Sequence, residues 1–392
     1  MGNHFTKIKK WYFRCRRFGL HLLKPLVLFL SKLSSNRQSK PSSILFIRID
    51  RIGDMVMSTS ALRALKVTSP KTKITVLTSK ANQKILTYNP HVDCTIIYPD
   101  SINPMAIASF HNKIRKECFD IVIDPITGYD LKPALVAFLT RSSVSIGFDG
   151  FGREVLFDRT MPQPAADRHI IDANADLLKL IEVEDRVKKT EIYLHPHEID
   201  RAARELAVHA TSDVRWVGIH PGAHYETQRW GVVNTIRFVE LARQQSFFRC
   251  CLIGGRSDAK LIEAIQVGVG GGIPVFVYKD LRKTIALISR LDALVCNNSG
   301  PLHIASTLNI PSVSFMGPTN ARRWWPVGPH QRVLRSEGLD CLGCESGLCP
   351  KGTVECMRRI SPQAAMDALM ALLSVARTAP PSPRDGSGLF IL

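Results

Sequence analysis

The sequence predicts an α/β protein made of two doubly wound domains that face each other across a cleft. Three observations lead there. Short β-branched strands alternate with helical stretches, the alternation runs its course once and restarts near residue 213, and 392 residues are more than one hydrophobic core normally holds.

The elements follow in order. Ile44–Ile49 reads as a buried strand, Asp50–Asp54 as a glycine-containing turn, and Met55–Lys66 as a helix with Leu62 and Leu65 on one face. Strands are expected at Ile74–Leu77, Thr95–Tyr98 and Ile121–Asp124, with helices at Ala81–Leu86, Ile107–Lys116 and Leu131–Thr140. This makes a first domain over 44–195, followed by a charged helical linker over 196–212. The second domain, 213–340, opens with a strand at Val214–Ile219 and the turn His220-Pro221-Gly222-Ala223. Helices at Asn234–Gln245, Asp258–Gln266, Leu281–Ser289 and His303–Thr307 then alternate with strands at Cys250–Ile253, Val275–Val277, Ala293–Cys296 and Ser312–Met316. A cysteine-rich segment (341–360), a terminal helix (361–378) and a tail rich in Pro and Ser (379–392), expected to be disordered, complete the chain.

In open parallel sheets, ligands bind beyond the carboxyl ends of the strands. The polar and glycine-rich segments Asp50–Asp54, His220–Ala223, Gly254–Asp258, Asn297–His303 and Gly317–Thr319 all fall there. The run Asn297-Asn298-Ser299-Gly300-Pro301-Leu302-His303 follows a buried strand and opens a helix. Free amides and the positive end of a helix dipole make such a turn an anion site, and Gly300 lets a phosphate approach the backbone. The plain alternative is a capping turn with His303 satisfied in the core. Asp54, just after Gly53, sits at a helix start that would keep its carboxylate ionised, as a general base requires. As a simple cap it would stabilise the helix by about 1 kcal/mol. Neither a Walker lysine motif nor a GxGxxG fingerprint occurs, which argues against ATP hydrolysis and nicotinamide binding.

The net charge of +18 is unevenly spread. Residues 1–43 hold ten Lys and Arg and no acid, interleaved with Trp11, Tyr12, Phe13, Phe18 and the run Leu26–Leu30. Such a leader suits the headgroup boundary of an anionic membrane, and its apolar run is too short to span a bilayer. The expected location is therefore cytoplasmic, peripheral on the inner face of the membrane, with a solvated basic tail as the bland alternative. Charge gathered in a leader rather than on a folded face speaks against nucleic acid as a partner.

The segments ILFIRIDRIGDMVMSTSALRALK (44–66), FDIVIDPITG (119–128), VGIHPGA (217–223), CLIGGRSD (251–258) and NNSGPLHIASTLNIPSVSFMGPT (297–319), with the cysteine run 341–356, together resemble glycosyltransferase family 9, the lipopolysaccharide heptosyltransferases. The resemblance implies a GT-B fold and an inverting, metal-independent transfer of heptose or a related sugar. The donor would be an ADP-sugar on the C-terminal domain, and the acceptor a lipopolysaccharide core or other lipid-linked saccharide on the N-terminal one. It makes Asp54 the base, gives the donor phosphates to Asn298, Ser299, Gly300, Pro301 and His303, and puts Gly222 in the donor-side turn. The family's diphosphate lysine falls at Gln228, with Arg229 beside it as a substitute cation, and Asn298 stands where an aspartate is commoner. Asp258 becomes a ribose or sugar-hydroxyl ligand. No cofactor is required for catalysis. The spacing of Cys341, Cys344, Cys349 and Cys356 allows structural zinc, an iron–sulfur cluster, or plain thiols and local disulfides. Two rival readings keep the fold: a transferase or epimerase using a UDP-sugar, and a non-catalytic membrane-bound scaffold.

Overall fold

The computed structural model describes residues 41–378 except 102 and 211–213, together with Gly19 and residues 389–391. The expected membrane-facing leader therefore lies almost wholly outside the described residues. No helix among those described is long and apolar enough to cross a membrane.

The chain divides into two units. The first comprises residues up to 83 and 90–189, the second 84–89 and 190 onward. Each is built on a six-stranded sheet that is parallel throughout. In the first unit the strands are β1 (Ser43–Arg48), β2 (Lys73–Thr78), β3 (Cys94–Ile97), β4 (Ile121–Asp124), β5 (Val144–Phe148) and β6 (Arg159–Met161), in the spatial order β3-β2-β1-β4-β5-β6. Helices α1 (Ile52–Thr68), α2 (Pro104–Lys116), α3 (Lys132–Thr140) and α4 (Ile170–Leu178) connect or cover them. Strands buried on both faces need continuous apolar runs, and Ile44, Leu45, Phe46 and Ile47 supply one.

The second unit repeats the scheme. It contains β7 (Ile192–Leu194), α5 (Pro196–Ala207), β8 (Arg215–His220), α6 (Val232–Arg243), β9 (Phe248–Gly255), α7 (Ala259–Gly268), β10 (Val275–Tyr278) and α8 (Leu281–Ser289). Then come β11 (Ala293–Asn297), α9 (Gly300–Thr307), β12 (Ser312–Phe315), α10 (Ala321–Trp324), β13 (Gln331–Leu334), α11 (Glu355–Arg358) and α12 (Pro362–Thr378). The main sheet runs β10-β9-β8-β11-β12-β13. Val217, Ile219, Phe238, Leu252, Val295, Val313 and Leu369 belong to its core.

Several boundaries differ from expectation. The second unit begins at Thr190, and α5 is part of it rather than a linker. The reason is a buried ion pair: Arg282 on α8 donates to Glu198 on α5 from Nε at 2.9 Å and from Nη2 at 2.5 Å, and to the Tyr193 carbonyl at 2.8 Å. Arg282 also lies over the Tyr88 ring at 5.4 Å, which accounts for residues 84–89 grouping with the second unit. The helix expected at Ala81–Leu86 shrinks to one 3₁₀ turn, Gln83–Leu86. The tail is not wholly irregular either, because β14 (Leu389–Ile391) pairs in parallel with β7. Leu-Phe-Ile is a strongly β-prone tripeptide, and pairing satisfies backbone groups that an edge strand leaves open.

The most buried charges of the first unit are Asp124, at the end of β4, and Arg153; both side chains are fully shielded and 2.5 Å apart. Removing one partner strands the other in the interior. Arg153→Leu is expected to lower unfolding free energy by about 3–5 kcal/mol, and Leu at both positions to recover most of the loss. Urea denaturation checks this; a loss under about 1 kcal/mol in the single variant would mean that the pair behaves as a solvated one.

Candidate active site

In each sheet the strand order reverses direction at one place: between β1 and β4 in the first unit, and between β8 and β11 in the second. Connections diverge there and leave a crevice at the strands' carboxyl ends.

In the first unit the β1–α1 turn occupies this position. Gly53 is buried, and Asp54 is the third residue of α1, half-buried in the first turn. Arg51 holds the N-cap position, extended and with no side-chain cap, so Asp54 is not the cap itself. A carboxylate in the first turn is favoured by the helix dipole. The turn is held from below by buried polar groups. Asn82 donates to the carbonyls of Arg48 (2.9 Å) and Asp50 (3.2 Å). Arg48, only 1% exposed, donates to Asp50 (3.0 Å) and to Asn174 on α4 (3.1 Å). Asn174 in turn donates to Ser58 Oγ, which donates to the Asp54 carbonyl at 2.8 Å. Asp50 is thus tied to Arg48, and Asp54 stands in the first turn of the helix whose start this chain of bonds fixes. None of Arg48, Asn82, Asn174 and Ser58 was singled out from sequence; the one available signal was an arginine inside an apolar strand.

In the second unit four neighbouring strands, β9, β8, β11 and β12, bring their carboxyl-end turns together. Asn297, the last residue of β11 and 1% exposed, is the junction. Its Nδ2 donates to the carbonyls of Pro221 (2.7 Å) and Gly222 (3.2 Å), and its Oδ1 accepts from the Trp230 amide (2.9 Å). Asn298 follows, buried, with an Nδ2 that has no partner among the described residues. Ser299 stands at the N-cap of α9 in extended conformation, but its hydroxyl does not cap the helix and donates instead to the Asn297 carbonyl at 3.3 Å. Gly300 begins the helix, and Pro301, with no N–H to satisfy, follows in its first turn. The start of α9 therefore has the uncapped dipole and the close-approach glycine of an anion site. His303 is buried one turn in, with its ring 6.4 Å from that of Trp324.

Asp258 closes the other side. Its Oδ2 accepts from the Gly255 amide at 2.9 Å and lies 3.6 Å from His220 Nε2. Burial alone would push the carboxyl up. The His220 ring, the Gly255 amide and the Arg229 charge more than offset this and hold it below its ordinary value. Gly222 is needed here, because a Cβ on it would stand 2.2 Å from Asp258 Oδ1. Gln228 donates to Thr319 Oγ1 (3.1 Å), beyond the end of β12, and so joins a fourth turn to the site. Arg229 is 30% exposed and, among the described residues, forms one long ion-pair contact, 3.4 Å, with Glu226. All the predicted donor-side residues thus lie at one end of one sheet. His220, Asn297 and Thr319 join them without having been assigned a role; the signal for the first two is a polar side chain at the last position of a buried strand.

The four late cysteines are free thiols, with Cys356 buried against Gly317. Among the described residues no group of three or more His, Cys, Asp or Glu is placed to hold a metal ion.

The profile described as glycosyltransferase family 9 (heptosyltransferase) matches residues 107–354. The chain belongs to glycosyltransferase family 9. It is 24% identical over 348 residues to lipooligosaccharide heptosyltransferase 2 of Haemophilus ducreyi, covering 84% of this chain and 99% of that one. With lipopolysaccharide heptosyltransferase 3 of Escherichia coli the identity is 25% over 286 residues, 70% of this chain and 83% of the relative. Among solved structures, a family 9 glycosyltransferase from Veillonella parvula superposes with a TM-score of 0.75 at 20% identity, covering 87% of this chain and all of the other. The ADP-heptose lipopolysaccharide heptosyltransferase II of E. coli gives 0.69 at 20% identity, over 86% of this chain and all of that one. The expected GT-B fold is therefore the observed one, and this family 9 member is a glycosyltransferase.

Two outcomes check the Asp258 corner. Gly222→Ala overpacks it and is expected to cost about 1–3 kcal/mol in denaturation experiments; a neutral effect would contradict the close approach. A carboxyl that titrates below its unfolded value of 3.8 adds stability that is fully present above that value and disappears as pH falls through the depressed one. Asp258→Asn lacks this contribution, so wild type should be the more stable near neutrality and the two should converge in urea melts as the pH falls below 3.8 and through the depressed value. A constant gap across that range would remove the carboxylate from the account.

Proposed function

We propose that this enzyme moves heptose, or a closely related sugar, from an ADP-sugar to a lipopolysaccharide-core or other lipid-linked acceptor, with inversion and without a catalytic metal. The observation that carries the reading is the β11–α9 turn: an uncapped helix start, a glycine and a buried Asn298 side-chain amide without a partner among the described residues meet at the switch point of the second unit's sheet. The heptosyltransferase names of its relatives support the choice of sugar.

In this reading the acceptor hydroxyl oxygen attacks the anomeric carbon of the donor as the bond to the diphosphate oxygen breaks. The hydroxyl proton passes to the Asp54 carboxylate, and the nucleoside diphosphate leaves with the bonding electron pair. Charge growing on the leaving group is met by the first-turn amides of α9, the Ser299 hydroxyl, His303 and the Arg229 guanidinium, all of which favour the transition state over the ground state. Gln228, where the family has a lysine, hydrogen-bonds Thr319 and leaves the cationic role to Arg229. The basic, aromatic leader of residues 1–43 holds the enzyme at the cytoplasmic face of the membrane in which the acceptor is anchored.

The test is mass spectrometry of products after offering ADP-heptose, UDP-sugars and GDP-sugars with lipid A–core acceptors. The expected product is an acceptor enlarged by one heptose, formed only with ADP-heptose. Turnover of a UDP-sugar without any acceptor would replace this reading with an epimerase. Asp54→Asn should lower kcat by about 10²–10⁴ while donor binding persists; unchanged transfer would remove Asp54 as the base.

A further inference from the structure

At the carboxyl end of the first sheet, next to the turn that carries Asp54, lie the loops that follow β4 and β5. The first presents Tyr129, 58% exposed, and the second Phe151, 37% exposed. Their ring centroids are 6.4 Å apart and the planes meet at 77°, an edge-to-face pair. An aromatic pair in a fixed arrangement offers ring faces on which a ligand can stack.

The backbone is arranged to hold this pair out. Gly150, Phe151 and Gly152 are three consecutive left-handed residues, with φ of +94°, +57° and +86°. The two glycines adopt that region without penalty, but a bulky residue between them is strained there, and strain of this kind gathers at functional sites. The strain is held by buried bonds. Arg153, fully buried, donates to the carbonyls of Ile126 (2.6 Å) and Gly128 (3.0 Å) and pairs with Asp124. Gln163 then links the two loops, accepting from the Gly128 amide at 3.1 Å and donating to the Asp149 carbonyl at 2.5 Å. A buried cation and a bridging amide therefore fix two loops whose outward products are two aromatic rings. The Asp124–Arg153 pair alone would not need Phe at 151, since Gly would relieve the backbone at that position.

We propose that Tyr129 and Phe151 form an aromatic platform on which a sugar ring of the acceptor stacks while its hydroxyl is presented to Asp54. The inference rests on the transferase reading above and deepens it by naming the acceptor-binding groups. The negative face of an aromatic ring attracts the weakly positive C–H face of a pyranose, and the Tyr129 hydroxyl offers a polar edge to the sugar's hydroxyls. Arg153 and Gln163 act as positioning residues, because they reach the acceptor only through the loops they hold.

Saturation-transfer NMR on the full chain tests this, with core oligosaccharide freed of lipid A as the probe and ADP binding as a control for the second unit. Tyr129→Ala and Phe151→Ala are each expected to weaken oligosaccharide binding about tenfold. Tyr129→Trp and Phe151→Tyr, which keep a ring, should stay within about threefold of wild type. Phe151→Gly separates stacking from folding: it should raise the melting temperature by releasing the strained φ, yet lose binding as fully as Phe151→Ala. In transfer assays the alanine variants should raise the acceptor KM with little change in kcat. Oligosaccharide affinity or acceptor KM within about twofold of wild type in Tyr129→Ala and Phe151→Gly overturns the platform even where transfer itself is confirmed. Ring-dependent oligosaccharide binding by a protein that transfers none of the offered sugars upholds the platform and overturns the proposed reaction instead.

Discussion

Asn297 carries one side-chain amide and three hydrogen bonds, and the turns at the carboxyl end of the second unit's sheet depend on them. Its position at the end of a buried strand leaves no water to satisfy the amide. The only low-energy solution is to bind the Pro221 and Gly222 carbonyls on one side and the Trp230 amide on the other. That requirement draws the β8 turn against the β11 turn. It also sets the start of the segment in which Trp230 stacks on Phe315 at 4.1 Å and donates to the Ile360 carbonyl. Once these are fixed, Asn298 and Ser299 have no freedom to turn elsewhere, and the α9 helix start is presented at the switch point.

The first unit solves the same problem with different groups. Arg48 and Asn82 are buried at the end of β1, and their donors fix the β1–α1 turn as Asn297 fixes the β11–α9 turn. Arg153 does so for the loop after β4. A buried guanidinium is costly unless its donors are matched, so each such residue constrains the backbone around it strongly. The hydrophobic core makes the sheets, but these few polar residues decide where the turns at their ends point.

This division explains what the sequence made legible. Central strands such as Ile44–Ile47 and Val217–Ile219 announce themselves by continuous apolar runs, and the restart near 213 revealed the second sheet. Strands without such a run did not: Arg159-Thr160-Met161 and Gln331-Arg332-Val333-Leu334 lie at sheet edges and carry polar residues, and the interior strand Val144–Phe148 is interrupted by Ser145 and Gly147, whereas the edge strands β3 and β10 keep enough apolar residues to be read. The unit boundary was missed because it is set by Arg282 reaching Glu198 across 84 positions of sequence. At the site, Asp54, Ser299 and Gly300 were visible as residues in the right turns. The supporting bonds of Arg48, Asn174 and Asn297 were not, since long-range side-chain pairing leaves no periodic trace.

The two departures that the family resemblance implies, Gln228 for a lysine and Asn298 for an aspartate, are best understood together. Each replaces a charged side chain with a neutral amide, one losing a cation and the other an anion, so the local charge balance changes little. What changes is where the remaining charge sits. Gln228 is committed to Thr319, a bond that shapes the site but brings no charge to it. Arg229 keeps its charge, and its contact with the 88%-exposed Glu226 carboxylate is of the kind that contributes little at a protein surface. Against the cost of burial, the His220 ring, the Gly255 amide and, least of the three, the Arg229 charge hold the Asp258 carboxyl below its ordinary value. In the proposed reaction the anion site relies on amides and dipoles held by Asn297, with the Arg229 guanidinium beside them in place of the lysine that the family resemblance implies. Preorganised dipoles need no reorganisation when charge develops, so the exchange is consistent with catalysis.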